Sequence, residues 1–118
     1  MNKTKVASII NTTIDTKIPT EVRQWLKNEC FVVVNNLSDW NITPSKHNAK
    51  GNELLGIFGF EDGKPVIGIN HKALRTAQEV IRTTLHEFAH AFLWHLGLPN
   101  GERVANKLAK EWQLEKEA

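Results

Sequence analysis

Residues 86–90 combine two side chains that bind metals with one that can accept a proton. They are His86-Glu87-Phe88-Ala89-His90, so two imidazoles stand four positions apart and a carboxylate follows the first. On an α-helix, positions i and i+4 share a face, and both rings can then reach one ion at roughly 2.0–2.1 Å. Glu87 would lie roughly 100° around the helix, beside the ion. The pattern predicts a zinc site at which Glu87, as the general base, takes a proton from water held by the ion.

A catalytic zinc ion needs three protein ligands and one open position. Residues 97–101 contain two glycines and a proline and predict a turn that folds the next helix back onto the preceding one. Glu102 opens that next helix, and we predict it as the third ligand. Asn106, one helical turn later, would lie on the same face, where its side chain is predicted to accept the free ring N–H of His86 or His90.

Other residues compete for the third position. His95 follows His90 by five residues, which points it roughly 140° away on a helix, so ligation would require the helix to break first. We predict a surface or packing role for it. Glu111 and Glu115 lie among lysines and are predicted to form solvated ion pairs.

Hydrolysis also requires a donor to the oxyanion that forms when a carbonyl is attacked. The chain has no tyrosine, which excludes that common donor. His71, at the end of a predicted strand just before the metal-binding helix, is the candidate that we place beside Glu87 in the catalytic set, although a lone histidine is more often structural. The remaining candidates are His47, Arg75 and Arg103.

The helix that must carry the two histidines is predicted over Thr76–Leu96. Thr76 and Glu79 form a capping-box pattern, and apolar residues recur every three to four positions after it. After the turn, a last helix is predicted over Glu102–Lys116. This order places the proposed third ligand at the start of the second helix.

The elements upstream are read from β-branched runs and turn residues. They are, in order, a helix over Pro19–Glu29, a strand over Phe31–Val34, a loop over Asn35–Gly51, and an antiparallel hairpin of Leu54–Phe60 and Val66–Asn70 joined by an Asp-Gly turn. Residues 1–18 receive no element and are treated as a segment that could be flexible. The predicted class is α+β, with an antiparallel-leaning sheet packed on the metal-binding helix.

Composition limits what else the chain does. Its 118 residues, 41% hydrophobic and 24% charged, suit one domain over residues 1–118. The net charge is only +2 and the basic residues are scattered, which argues against dedicated nucleic-acid binding. Cys30 is the only cysteine and lies in an apolar run, so we give it no catalytic role. No membrane span or signal peptide is predicted, and the expected compartment is the cytoplasm. The oligomeric state is left open.

The metal-binding residues carry a family resemblance. With a glutamate as third ligand, they resemble the site of gluzincin metallopeptidases. The string Glu-Arg-Val-Ala-Asn at residues 102–106 is similar to the Glu-x-x-Ala-Asn signature of the ImmA/IrrE family, bacterial and phage proteases that cleave repressors. The upstream hairpin is similar too, so the resemblance covers about Leu54–Glu111, half the chain. Two departures are Ala89, where the family usually has glycine, and a shorter chain than most members have.

This resemblance implies a small zincin-like domain with one zinc ion, in a cytoplasmic, phage or mobile-element setting. It also implies a repressor-type protein or peptide substrate that pairs with an edge strand, here Leu54–Phe60. The SprT-like group of DNA-associated metalloproteases resembles residues 86–93 locally. Its third ligand is a later histidine, however, and no histidine follows His95.

Two further hypotheses stand beside the zinc peptidase. The first is a non-catalytic binding or anti-repressor module that keeps a metal-stabilised zincin-like scaffold, which suits a chain too small for a deep specificity pocket. The second is a helical domain in which the histidines coincide by chance. The latter predicts no stoichiometric metal after purification.

Overall fold

A computed structural model of the chain describes residues 1–35, 49–50 and 53–117. The helices in these residues are α1 (Lys3–Lys17), α2 (Thr20–Glu29), α3 (Ala77–His95) and α4 (Glu102–Glu117). The strands are β1 (Phe31–Asn35), β2 (Ala49–Lys50), β3 (Glu53–Leu54), β4 (Gly56–Glu61) and β5 (Lys64–Asn70). Helices on a mixed sheet make this an α+β domain, which confirms the predicted class.

The main sheet has the strand order β1-β5-β4. β4 and β5 form the predicted antiparallel hairpin, with Gly56 opposite Ile69 and Phe60 opposite Pro65. Its first strand begins at Gly56 and not at Leu54, because Leu54 belongs to β3 and pairs with Ala49. On its other side β5 pairs in parallel with β1, from Phe31 opposite Val66 onward. The central strand β5 is buried along almost its whole length, as expected for a strand that is covered on both faces. Within the described residues, β4 is therefore an edge strand.

Residues 1–18, to which the sequence analysis assigned no element, contain a 15-residue helix. α1 starts at the Asn2 cap, whose side chain accepts a hydrogen bond from the backbone N–H of Lys5. Val6, Ile10 and Ile14 are spaced one turn apart and are buried in the core. α1 packs against α3, so this segment belongs to the folded domain.

α3 begins one residue inside the predicted range, at Ala77. The backbone N–H of Glu79 donates to Oγ1 of Thr76 over 3.1 Å, which confirms half of the capping box directly. Leu85 and Phe88, in the middle of the helix, are fully buried. α3 contacts α1, α4, β4 and β5, so the two histidines stand on the most enclosed helix of the described structure.

The predicted loop over Asn35–Gly51 lies mostly outside the described residues, and so does His47. The described residues of this range are not loop: Asn35 is the last residue of β1, and Ala49–Lys50 is β2, which pairs with β3. None of the helices that the structure describes is long and apolar enough to cross a bilayer.

Cys30, just after α2, is half-buried, and burial raises the pKa of its thiol to about 12. Its thiolate is therefore scarce at neutral pH.

Candidate metal centre

α3 brings His86, Glu87 and His90 together in its buried middle. Their exposed fractions are 5%, 2% and 7%. One possible ligand atom from each lies within 4.8 Å of the others. The two imidazole rings have centroids 4.8 Å apart and are almost perpendicular, at 88°. This buried group could hold a metal ion, because imidazole nitrogens and a carboxyl oxygen are atoms that bind metals and here they lie close together.

The turn after α3 determines where the next helix begins. Gly97 has φ of 69°, a left-handed conformation that L-residues rarely adopt. Its N–H donates to the carbonyl of Trp94, and the N–H of Leu98 donates to the carbonyl of Leu93, both over 3.0 Å. These two bonds form a Schellman motif, which ends α3 and reverses the chain. α4 then packs back along α3, as the glycine-rich sequence of the turn predicted.

Glu102, the first residue of α4, contacts both histidines. Its Oε2 lies 2.8 Å from Nε2 of His86, and its Oε1 lies 3.1 Å from Nε2 of His90. The two rings therefore direct the same type of nitrogen toward one carboxylate. Two imidazole nitrogens from α3 and one carboxylate from α4 therefore converge here. Groups in this arrangement can share a cation or protons.

Two carboxylates are candidates for the third ligand. Glu87 has an oxygen within 4.8 Å of both histidines, whereas Glu102 is in direct contact with both Nε2 atoms. The Glu102 side chain is also 39% exposed, so it can bridge the buried rings and an open coordination position. Of the two carboxyl groups, Glu102 is therefore the one in direct contact with both rings, and Glu87 lies beside them.

Glu87 is a buried carboxyl group without full hydrogen bonding. Its Oε2 is fully enclosed and has no hydrogen-bond partner in the described part of the chain. Burial, and secondly the negative charge of Glu102, raise the pKa of Glu87 to about 8. A buried polar atom without a partner is costly, and groups with strongly perturbed pKa values cluster at functional sites. β4 passes beside this side chain at Gly56.

Asn100 also contacts the site, although the sequence did not predict it there. Its Oδ1 lies 2.7 Å from Nδ1 of His90, so it occupies the outer nitrogen of that ring. Asn106 was predicted for this role at His86 or at His90. At His90 the described partner of Nδ1 is Asn100 instead, and a contact between Asn106 and His86 stays a prediction. Asn100 is the only polar side chain among residues 97–101, which is the signal that could have identified it.

His71 lies in a different contact set. Its Nδ1 is 2.9 Å from the backbone carbonyl of Met1, and this bond joins the end of β5 to the start of the chain. A carbonyl only accepts, so Nδ1 carries the proton and a neutral His71 has no proton on Nε2. Only the doubly protonated ring could donate to an oxyanion. None of the described contacts joins His71 to the metal-binding group.

His95, Arg75 and Arg103 were the other candidates that lie in the described residues. His95 is exposed at the end of α3, where its ring stacks on Trp25 with centroids 4.3 Å apart. It is a packing histidine, as predicted. Arg75 and Arg103 are both exposed.

An aromatic wall adjoins the candidate ligands on one side. The Phe58 ring of β4 lies parallel to the His90 ring, with centroids 6.5 Å apart. Phe60 and Trp94 extend this wall outward and contact each other edge-on at 4.9 Å. Because the strand and the helix both contribute rings, the edge of the sheet is held next to His90.

The sequence matches no protein-family model and no curated protein. The resemblance to the gluzincin and ImmA/IrrE families thus stays a prediction.

Proposed function

We propose that this chain is a zinc-dependent hydrolase of peptide bonds, with one ion held by His86, His90 and Glu102. The observation that carries the proposal is that two carboxyl groups, those of Glu102 and Glu87, occupy different positions relative to the histidines. One contacts both ring nitrogens, and the other is buried beside them with an unpartnered oxygen. Two imidazoles and a carboxylate are a donor set that suits zinc and leaves one position for water.

The ion, when bound, would act as a Lewis acid toward the carbonyl and lower the pKa of a water molecule. Glu87 would take a proton from the attacking water onto a carboxylate oxygen and later give it to the leaving amine nitrogen. Water and the amide thereby become a carboxylic acid and an amine. The raised pKa of Glu87 applies to the metal-free site; a neighbouring cation favours the carboxylate form that accepts the proton.

The substrate that we propose is an extended protein or peptide segment. β4 is an edge strand in the described residues, and it reaches the site at Gly56 and Phe58. Backbone groups on such an edge can pair with another extended chain. A repressor-type substrate, and a cytoplasmic setting in a phage or mobile element, follow only from the resemblance and are proposed on that ground.

The proposal is tested by comparing metal content with cleavage. Native protein purified without added zinc is expected to carry one metal ion per chain, as is Glu87→Gln, whereas a His86→Ala, His90→Ala double variant should carry none. The zinc-loaded wild type should generate new peptide N-termini in a proteome-derived peptide library, as detected by mass spectrometry. Glu87→Gln should not, and Glu111→Gln serves as the matched control that does.

The outcomes separate the hypotheses. Stoichiometric metal without cleavage by the wild type would favour the non-catalytic binding module. Cleavage that persists in Glu87→Gln would exclude the mechanism. Native protein without metal would leave the histidines as ordinary core residues.

A further inference from the structure

We infer that Asn100 is a positioning residue that fixes the orientation and the tautomer of the His90 ring for metal binding. The inference rests on the proposed metal site and adds a residue to it. The observation is the 2.7 Å distance between Oδ1 of Asn100 and Nδ1 of His90. An amide oxygen only accepts, so the proton of a neutral His90 ring is on Nδ1. Its Nε2 lone pair is then available to a cation.

The other nitrogen of the ring faces a carboxylate. Nε2 of His90 lies 3.1 Å from Oε1 of Glu102. If Nδ1 of the neutral ring holds the proton, a lone pair of Nε2 faces a lone pair of the carboxylate. Such a pair repels unless a positive charge lies between the two atoms. Asn100 is thus not a ligand itself, but it leaves Nε2 of His90 and Oε1 of Glu102 ready to bind a cation.

The turn supplies both contacts. Asn100 and Glu102 lie two residues apart in sequence, and one contacts Nδ1 of His90 while the other contacts Nε2. The Schellman motif at Gly97 and the hydrogen bond from the N–H of Ala105 to the carbonyl of Gly101, at 3.0 Å, anchor the turn at its two ends. Ala105 itself is fully buried. Residues of one anchored segment therefore contact both nitrogens of the His90 ring.

Asn100→Ala is expected to weaken zinc binding by roughly 10- to 100-fold, the range typical for loss of an outer hydrogen bond to a ligating histidine. Asn100→Asp keeps an acceptor at the same place and is expected to restore most of the affinity. Asn11→Ala, at an exposed position of α1, is the matched control and should bind zinc as the wild type does. Affinity is measured by competition with a chromophoric chelator, and the thermal midpoint of each metal-free variant shows that it is folded.

A second readout does not need metal. Nitrogen-15 NMR of the metal-free protein at about pH 9, where an ordinary histidine is neutral, reports which ring nitrogen holds the proton. His90 is expected to be protonated at Nδ1 in the wild type and in Asn100→Asp, and to become a mixture of tautomers in Asn100→Ala. An unchanged His90 tautomer in Asn100→Ala would overturn the inference, as would unchanged zinc affinity. Wild-type protein with the expected tautomer but no zinc binding would overturn the proposed function and leave the positioning role of Asn100 supported.

Discussion

Gly56 of β4 lies directly against Glu87 of α3. A Cβ atom at position 56 would be 3.2 Å from Cγ of Glu87 and only 2.6 Å from Cγ2 of Thr83. The edge strand can approach the helix this closely because residue 56 has no side chain. The hairpin thereby encloses the carboxyl group that we propose as general base.

Gly56→Ala is expected to force β4 away from α3. Overpacking of this kind typically costs about 1–3 kcal/mol in the free energy of unfolding, and it should also reduce any Glu87-dependent cleavage. Urea unfolding of the metal-free protein measures the first effect. Gly59→Ala is the control on the same strand, because a Cβ atom there meets no described atom within 4 Å. Equal stability of the two variants would show that the contact at Gly56 has no energetic consequence.

Glu102→Ala is expected to lower zinc affinity by more than the roughly 10- to 100-fold that loss of an outer hydrogen bond costs. The reason is that it removes the only carboxylate that the described structure places on both Nε2 atoms. Glu111→Ala, on the same helix, should leave affinity unchanged. Competition titrations compare them, and comparable losses in both variants would mean that the wrong carboxylate is assigned.

The stability of the metal-free protein is expected to fall as pH rises from about 4.5 to about 8. Glu87 has a folded-state pKa raised to about 8 from its usual 4.5, so over this range the unfolded chain releases a proton that the folded chain retains. Below about 4.5 both states are protonated and this penalty is absent. Urea midpoints measured in EDTA across the range should decline less steeply for Glu87→Gln than for the wild type. Parallel profiles would argue against a perturbed Glu87.

Zinc is expected to stabilise the folded chain. At a free concentration 100 times Kd, the gain in the free energy of unfolding is about 2.7 kcal/mol, and EDTA should remove it. His86→Ala should lose the effect. His95→Ala should keep it, because that ring stacks on Trp25 and takes no part in the metal-binding group. Differential scanning calorimetry with and without zinc checks this, and a zinc-dependent shift that survives in His86→Ala would place the ion elsewhere.

Local patterns predicted the part of the fold that carries the site. The capping box set the start of α3, helical spacing placed both histidines on one buried face, and the glycines of the turn indicated that Glu102 would return to them. Each of these signals involves residues close in sequence. Such relations are set by backbone geometry, so they can be predicted from the sequence without knowledge of the tertiary structure.

The features that were missed depend on distant or irregular contacts. The parallel pairing of β1 with β5 joins residues more than 30 positions apart, and nothing local specifies it. α1 was missed because its threonines and isoleucines are indifferent helix formers, and its helix gains stability from packing Val6 and Ile10 into the core. Asn100 lies in a turn, where no periodicity indicates which way a side chain points.

The short connection between α3 and α4 has an unusual constraint on its length. Surface connections generally accept extra residues at little thermodynamic cost. Here a single inserted residue between Gly97 and Glu102 would alter the distance from the reversal to both the amide and the carboxylate that hold His90. A tag or a reporter spliced into this exposed turn would therefore disturb the proposed metal site.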